Sequence, residues 1–385
     1  TWAVSGLPSG LTWSQVGDAV KISGTPASGT AGTYNIDVTV TDSSSPTQSV
    51  SATLQLVVNL GGLTGDWYVH GINGNDSNNG TSWDEAFKTI AKALSVAGDG
   101  DIILVADAIY YETNLNFNGK KIYLRGVDYH PDGLTRPVID CQQAGRAFKF
   151  DSGETGDSVI DNFIIKNSSG SAISCGNSSG PTIKNCIFTN NSAGWGLGGA
   201  IYCSNQNYSP NHPKPTIINC VFTSNSAYCG GAIAWTVSHL RIINCTFSGN
   251  RASDGGGAIY ATNNSDGTIY NCIFWGDSGG WGSEIRWDSG QGCSLHYCCI
   301  DSAGVGGYGA GNVKKNNCIY DDPQFVDPAN GDYHLKPTSP CIDAGENSLV
   351  PSTVDKDVDG NQRIANGRVD IGAYEYQMQI TTTTL

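Results

Sequence analysis

A short phrase of apolar and polar residues recurs four times in the middle of the chain. Each copy begins with an isoleucine, passes through an Asn-Cys pair and ends with a phenylalanine. A second phrase, which contains Gly and Ile, follows each copy at a similar offset. Short β-branched segments that repeat every roughly 20 to 30 residues between Gly, Asn and Ser turns are typical of a solenoid. The four copies occupy residues 183–188, 217–222, 242–247 and 269–274.

The apolar segments are too short for a conventional β-sandwich, and no helices accompany them to cover a flat parallel sheet. We therefore predict an all-β chain whose main body, residues 61–376, is a right-handed parallel β-helix. About eight or nine coils, spaced by about 4.8 Å, would make a rod about 40 Å long. Equivalent side chains of successive coils would stack in ladders inside the rod.

The thirteen cysteines are expected to be rungs of such a ladder, because buried thiols behave as small apolar side chains. Isolated disulfides stay open for two pairs in the same register, Cys175 with Cys203 and Cys298 with Cys318. A column of asparagines is expected to cap turns by hydrogen bonding to neighbouring coils. Its members are Asn162, Asn185, Asn219, Asn244 and Asn271.

One amphipathic pattern precedes the coils. Apolar residues from Ala86 to Leu94 fall on one helical face, and Ser82 or Asp84 is placed to act as the N-cap. We predict a helix over 84–94 that closes the open apolar end of the solenoid, since solenoids need capping units.

Residues 1–60 differ from the coils. Alternation of apolar and polar residues in 31–42 and 52–58 predicts strands with one buried face, and Gly and Pro mark the turns. This stretch resembles the immunoglobulin-like module that occurs in tandem on bacterial surface proteins. The resemblance implies a small β-sandwich, and the sequence lacks the part that would form the module's first strand.

Charge and composition limit the classes of binding partner and indicate where the protein is located. With 21 basic against 35 acidic residues, the net charge of −14 repels the phosphates of nucleic acids and of anionic lipids. Because no run of about 18 apolar residues occurs, membrane insertion is not expected. Few Lys and many Ser, Thr, Asn and Gly indicate a secreted or surface-displayed extracellular protein, from which any signal peptide has been removed.

Motifs on both sides of the coils add a family resemblance. They lie at 67–83, 322–335, 339–345 and 369–375. Together they resemble the choice-of-anchor-Q family of bacterial β-helix surface proteins over residues 66 to 376. The resemblance implies a secreted right-handed β-helix on or near the cell surface, with no settled catalytic activity.

The tail, residues 377–385, is a candidate for the strand that the immunoglobulin-like module lacks. It is β-branched and resembles the opening strand of that module, and a sheet without its edge strand leaves backbone groups unpaired. We expect the tail of one subunit to add a strand to the module of another, which gives a head-to-tail homopolymer. The interface would comprise Trp2, Val4, Gln379, Ile380, Thr381, Thr382, Thr383, Thr384 and Leu385.

Two alternatives stay open for the tail: it begins the next module of a longer chain, or it is a frayed terminus.

The favoured function is a structural subunit of a self-assembling extracellular fibre, which is not an enzyme. The alternative function is a polysaccharide-binding or polysaccharide-cleaving β-helix protein, a lyase or a hydrolase.

An acidic loop near the C-terminus has the spacing of the start of a calcium loop, with carboxylates on alternate residues before a glycine. The closing Glu expected at the twelfth position is Asn366, so an EF-hand is excluded. No cofactor is required, and calcium is the one candidate. In the competing interpretation the loop is an acidic turn whose Arg363 pairs with Asp370 or Glu375. The candidate calcium ligands are Asp355, Asp357 and Asp359.

Catalytic groups are sparse on the coils. The acidic residues between 140 and 300 share no register, and Glu284 with Arg286 is the one acid–base combination on a predicted strand, where a surface ion pair is the favoured interpretation. Aromatic residues on the coils either stack on sugar rings or stabilise the solenoid faces, and packing is favoured. They are Trp195, Tyr202, Tyr208, Tyr228, Trp235, Tyr260, Trp275, Trp281 and Trp287.

Eight Asn-x-Ser/Thr sequons mark candidate glycosylation sites, although chance alone gives about five or six in a chain so rich in these residues. They are Asn75, Asn79, Asn167, Asn177, Asn190, Asn207, Asn244 and Asn263.

Overall fold

The computed structural model describes residues 1–377 except 18, 25–31, 46, 59–63, 131–133, 206–211 and 264. Within these residues, three parallel sheets wind around a common core, which confirms the predicted all-β parallel β-helix. The first sheet has ten strands: Trp67–Val69, Ile102–Ala106, Tyr123–Val127, Val159–Asp161, Thr182–Lys184, Thr216–Ile218, His239–Ile243, Ser265–Tyr270, Gly290–His296 and Val313–Asn316.

The two other sheets complete each coil. The second sheet has eight described strands: Ile109–Tyr110, Val138–Asp140, Ile164–Lys166, Ile187–Thr189, Val221–Thr223, Thr246–Ser248, Ile273–Phe274 and Cys299–Ile300. The third has seven: Phe148–Phe150, Ile173–Cys175, Ile201–Ser204, Ile233–Thr236, Ile259–Thr262, Ile285–Trp287 and Val305–Gly306. Between the second and third sheets, Ser226–Cys229 and Arg251–Gly255 pair as a narrow fourth strip.

Identical side chains stack in the core because each coil places the same sequence position above its predecessor. Ile217 pairs in register with Ile183 and Ile242, and all three are buried. Phe188, Phe222, Phe247 and Phe274 form a stack whose ring centroids lie 4.9, 4.7 and 4.7 Å apart. Parallel strands about 4.8 Å apart impose this spacing, and the buried rings gain dispersion energy from it.

The recurrent Asn-Cys pair forms the turn between the first and second sheets. Asn219 and Asn244 adopt positive φ values of 51°, a conformation that Asn tolerates better than most residues. The thiols of the following Cys220 and Cys245 each donate to the carbonyl two residues earlier, at 3.2 Å. All thirteen cysteines are free thiols, and twelve of them are buried. The thiols therefore fill the core and also satisfy carbonyls at the turn.

A second, buried ladder occupies the corner between the second sheet and the strip. The side-chain amide of Asn191 donates to Asn225 at 3.0 Å, Asn225 donates to Asn250 at 2.9 Å, and Asn250 donates to Asp277 at 2.8 Å. Each asparagine also donates to a backbone carbonyl, as Asn250 does to Phe222 at 2.9 Å. The ladder thus supplies hydrogen bonds at a corner where the sheets do not.

The helix spans Ile90–Val96, and the predicted range of 84–94 was wrong at its start. Phe87 is extended, since its N–H donates to the carbonyl of Tyr68 at 2.9 Å and its own carbonyl accepts from His70 at 2.8 Å. The N-cap is Thr89, whose hydroxyl accepts from Lys92. Buried Phe87, Ile90 and Leu94 still cover the first coil, as a capping unit should.

After the last coil, the C-terminal segment turns back along the second sheet and the asparagine turns. Asn219 donates to the carbonyl of Lys356 at 2.6 Å, and Arg136 donates to that of Val358 at 2.7 Å. This segment packs its own apolar residues against outward positions of the second sheet. Its regular elements are the hairpin Phe325–Asp327 and Asp332–Leu335 and the 3-10 turns Pro328–Asn330 and Asn347–Leu349; a further 3-10 turn, Ala310–Asn312, precedes them.

The N-terminal module contains two small antiparallel sheets. Trp2–Ser5, Gly32–Thr41 and Ser49–Val58 form one, in that order, and Leu11–Val16 pairs with Ala19–Gly24 in the other. Val50 and Leu54 are mostly exposed on Ser49–Val58. Within the described residues, the three-stranded sheet leaves one edge at Trp2–Ser5 and the other at Ser49–Val58.

The buried asparagine ladder ends on an acid, and this generates the first testable prediction. Burial, and the neighbouring Glu284 carboxyl, raise the pKa of Asp277 well above its usual value. A carboxyl whose pKa is raised by folding costs little stability below its unfolded pKa and destabilises the fold as the pH rises. An amide at this position would keep accepting from Asn250 and would donate to Glu284 without that cost.

We expect Asp277→Asn to raise the free energy of unfolding at pH 8 by about 1–3 kcal/mol, the cost of an unsatisfied buried polar group. At pH 4 the gain should be small. Urea unfolding at both pH values measures the difference. The exposed, surface-paired Asp157 gives a matched control, Asp157→Asn, which should change stability by less than about 0.5 kcal/mol. A variant less stable than the wild type at pH 8 would contradict this account.

Candidate functional site

A concave corner lies where the narrow strip meets the third sheet. At each coil the chain passes this corner through a glycine with positive φ: Gly198, Gly230, Gly256 and Gly282 have φ of 63°, 66°, 66° and 77°. A Cβ atom on any of them would lie 2.0–2.3 Å from a backbone oxygen of the following strand. Only glycine fits such a close approach, so the corner bends sharply and brings strip and sheet side chains together.

Aromatic side chains line this corner, and we call Trp195, Tyr228, Tyr260, Trp281 and Tyr308 the aromatic face. Trp195 is 89% exposed and Tyr308 is 80% exposed. The rings occur in pairs, with centroids 6.0 Å apart for Trp195 and Tyr228 and 5.0 Å apart for Trp281 and Tyr308. Large exposed rings gathered on one surface are a recurrent mark of binding sites.

Arg286 fixes the orientation of two of these rings. Its guanidinium carbon lies 5.4 Å from the ring centroids of both Tyr260 and Trp281. The guanidinium also donates to Asp288, with Nη2 2.9 Å and Nε 3.0 Å from the carboxylate oxygens, and to Asp254. These carboxylates raise the pKa of Arg286 against the effect of its burial. Arg286 is therefore a fixed cation that positions the rings.

A shallow hollow of about 310 Å³ lies beside Trp195. Ser226, Ala227, Arg251 and Ser253 of the strip line it. Arg251 is exposed and forms no ion pair with a described residue. The hollow thus offers a flat ring, hydroxyl groups and one guanidinium to a ligand.

The chemistry available at this corner is recognition of a ligand with one apolar face and several polar groups. An aromatic ring packs against C–H groups on one face of a sugar, while hydroxyl and guanidinium groups can hydrogen bond to its edge. Of the nearby acids, Asp277 and Glu284 are buried, so neither reaches a ligand at this surface, whereas Asp254 and Asp288 pair with Arg286.

The structure separates Glu284 from Arg286, which the sequence had combined as a surface ion pair. Glu284 is buried with Asp277, and burial raises its pKa, whereas Arg286 pairs with Asp254 and Asp288. Strand alternation does not explain this separation, because residues two apart in a strand face the same side. Glu284 instead precedes the strand Ile285–Trp287, next to the corner at Gly282. Of the predicted aromatic stripe, Trp235 and Trp287 are fully buried, and Tyr208 lies outside the described residues.

Two features of this region were not predicted. The sequence could have revealed the first feature, a buried ladder, because each of its residues follows a core cysteine by five positions. The ladder consists of Asn191, Asn225, Asn250 and Asp277. Tyr308 carried no such signal, because its loop follows the last strand of the third sheet and has no counterpart in earlier coils.

The side chains of the three candidate calcium ligands do not share a site, because each has a different environment. Asp357 is buried and accepts from the backbone of Asp359 at 3.0 Å and of Glu375 at 2.9 Å. Asp359 binds His334, and Asp355 is exposed. Among the described residues, no group of three or more His, Cys, Asp or Glu side chains is placed to hold a metal ion. Arg363 pairs with Glu375 at 3.0 Å, as in the acidic-turn interpretation.

The candidate assembly residues are divided between described and undescribed parts of the chain. Trp2 and Val4 pair with Val40 and Val38 inside the N-terminal module. The tail residues Gln379 to Leu385 lie outside the described residues.

The sequon asparagines also differ in placement. Asn75, Asn79, Asn177, Asn190 and Asn263 are exposed. Asn167 is half-buried and donates to Asp140, whereas Asn244 is fully buried in the asparagine column. Asn207 lies outside the described residues.

Four family models match parts of the chain. The model described as "Putative Ig domain" matches residues 1–58, and the right-handed β-helix region matches residues 108–247. A repeat of the Chlamydia polymorphic membrane protein matches residues 244–262, and a protein family of unknown function matches residues 72–117. These matches support a right-handed β-helix with an immunoglobulin-like module. They do not confirm the resemblance to the choice-of-anchor-Q family.

Two solved structures resemble the fold. The crystal structure of pectate lyase Pel9A is 14% identical, covers 80% of this chain and 96% of its own, and has a TM-score of 0.45. A rhamnogalacturonan lyase is 12% identical, covers 68% of this chain and 90% of its own, and has a TM-score of 0.30. No curated protein matches the chain.

These comparisons correct one expectation. The sequence predicted a protein that is not an enzyme, and that prediction is contradicted because both of these structures are of polysaccharide lyases. The low identities limit the likeness to the fold, so we transfer no residue role from either enzyme. None of the described helices has the length and apolar character needed to cross a membrane.

A histidine clamp on the acidic loop generates the second prediction. His334 lies between two carboxylates, with Nδ1 2.6 Å from Asp332 and Nε2 2.7 Å from Asp359. These hydrogen bonds, the one from Asp359 first, raise the pKa of His334 to about 9. A histidine whose pKa is raised by folding stabilises the fold fully below its unfolded pKa of about 6.5, and that contribution is lost as the pH rises through 9.

We expect His334→Gln to lower the melting temperature at pH 6 but to leave it nearly unchanged at pH 9.5. Differential scanning calorimetry across this range measures the effect. His296→Gln is the control, because it removes a histidine of the first sheet that forms no ion pair with a described residue. An equal loss at pH 6 and at pH 9.5 for His334→Gln would show that the clamp contributes no charge-dependent stability.

Proposed function

We propose that this chain is a secreted or surface-displayed β-helix protein that acts on polysaccharide, which it binds across the aromatic face. The observation that supports the proposal is the pairing of exposed rings on successive coils, with Arg286 holding Trp281 and Tyr260 in place. A rigid set of rings loses little conformational freedom on binding. The acidic composition and the match to a repeat of the Chlamydia polymorphic membrane protein support an extracellular location.

The spacing of the rings suits a polymer rather than a single sugar. Trp195 and Trp281 lie on strip positions three coils apart, which is about 14 Å at the usual strand spacing. Between them lie Tyr228 and the exposed Arg251. A ligand that contacts both tryptophans must therefore be an extended chain.

Substitution of the two exposed tryptophans tests this proposal. Each ring lost should lower affinity about tenfold, equivalent to about 1.4 kcal/mol, because stacking contributes on this scale. Wild type and Trp195→Ala/Trp281→Ala would be compared by affinity electrophoresis and calorimetry. The panel contains polygalacturonate, rhamnogalacturonan, xylan, alginate, chitin and β-glucan, with release of unsaturated or reducing ends followed in the same samples.

The matched control is Tyr111→Ala/Tyr320→Ala, which removes two exposed rings away from the aromatic face. It should bind as the wild type does. If the wild type binds and cleaves no member of the panel, or if both double variants lose affinity equally, the proposal is wrong.

We also propose head-to-tail assembly through the N-terminal module, as a separate property. Exposed Val50 and Leu54 support it, because apolar side chains on a small sheet favour a covering partner. Deletion of the tail, residues 377–385, should abolish concentration-dependent assembly measured by light scattering and negative-stain microscopy. Assembly that persists in the deletion variant, or a wild type that stays monodisperse at high concentration, would contradict this proposal.

A further inference from the structure

A second concavity, which we call the C-terminal groove, lies between the second sheet and the C-terminal hairpin. It encloses about 550 Å³. Trp275 forms its wall on the coil side, and Phe325, Pro328 and Ala329 form the wall on the hairpin side. Asp322, Gln324 and Lys336 stand around it as polar groups. The groove therefore combines one large ring with hydrogen-bonding groups at its edge.

The groove is held open by the packing beneath it. Its floor is made of Ser248, Gly249 and Gly276, which leave the space above two successive turns empty. The hairpin is anchored next to this floor by the Tyr333 hydroxyl, 2.5 Å from the hydroxyl of Thr223. Tyr333 is itself buried. The two walls are thus fixed with respect to each other, and the groove is present before any ligand binds.

The C-terminal groove adjoins the hollow beside Trp195, at one end of the aromatic face, across a single buried residue. Gly249 lines the groove and Arg251 lines the hollow beside Trp195. Asn250, which lies between them in the chain, points into the rod as a rung of the asparagine ladder. The two concavities therefore lie on either side of this corner at the same coil.

We propose that the C-terminal groove binds a further stretch of the same polysaccharide that the aromatic face binds. This inference rests on the proposed function. A sugar ring would pack against Trp275, and its hydroxyl groups would hydrogen bond to Asp322, Gln324 and Lys336. The groove and the face together form one continuous track, which bends around the corner formed by the asparagine ladder.

Chain length distinguishes a continuous track from a single site. A trisaccharide that bridges the two tryptophans, about 14 Å apart, is too short to reach into the groove as well, so its affinity should depend on the aromatic face alone. A dodecasaccharide can occupy both, and its second contact is intramolecular, which raises affinity by about tenfold or more. The probes are a trisaccharide and a dodecasaccharide prepared from the panel member that the wild type binds, measured by calorimetry.

Filling the groove tests the proposal without removing a packed side chain. Ala329 is exposed on the 3-10 turn Pro328–Asn330, so Ala329→Trp should fold normally and obstruct the groove. We expect it to lower dodecasaccharide affinity at least tenfold and to leave trisaccharide affinity unchanged. The control is Val326→Trp, which adds the same bulk at an exposed position of the neighbouring strand that does not line the groove.

The outcomes separate this inference from the proposed function. If Ala329→Trp leaves dodecasaccharide affinity unchanged, or if Val326→Trp lowers it as much, the groove is not part of the track although the aromatic face still binds. If Trp195→Ala/Trp281→Ala retains full affinity for the trisaccharide, the proposed function itself fails. If no panel member binds the wild type, both are overturned.

Discussion

The close stacking of successive coils is the constraint on which the rest of this structure depends. Each side chain in a ladder meets its own counterpart above and below, at a distance that the backbone hydrogen bonds fix. Apolar residues satisfy this condition easily, as the phenylalanine stack does. A polar residue satisfies it only when it donates to one neighbour and accepts from the other. Asparagine meets this requirement, which explains why the buried corner is built from Asn191, Asn225 and Asn250.

The same constraint determines where ligand-binding groups can occur. Side chains inside a ladder pack against or hydrogen bond to the equivalent side chains of adjacent coils. Variable side chains therefore lie on outward positions and in the turns. The aromatic face forms where a column of glycines lets two outward surfaces approach each other. Arg286 takes an outward register position that Tyr202, Ala234 and Tyr260 occupy in earlier coils. A guanidinium at this register position places a positive charge next to the rings of Tyr260 and Trp281.

The repeated sequence phrase explains which parts of the fold could be predicted from the sequence. The Ile and Cys ladders were predicted because each repeats with its neighbours, and the asparagine turns were predicted for the same reason. The start of the helix was not predicted. Phe87 forms a backbone pairing with Val69, and no local sequence pattern indicates this pairing. The pairing of Arg286 with Asp254 was not predicted either, since Asp254 belongs to the strip of the preceding coil. The C-terminal groove requires a contact between a turn and a hairpin distant in sequence, such as Thr223 with Tyr333.

The C-terminal segment changes how such a rod responds to unfolding. In a simple solenoid each coil contacts only its neighbours, so the array can open from one end, one coil at a time. Here Arg136, near the start of the rod, hydrogen bonds to Val358, 222 residues later, while Asn219 and Asn271 on later coils hold the same segment. Opening an end coil therefore requires release of a strap shared by several coils. The rod should lose its structure in a single cooperative step, and when pulled from its two ends it should resist until the strap detaches.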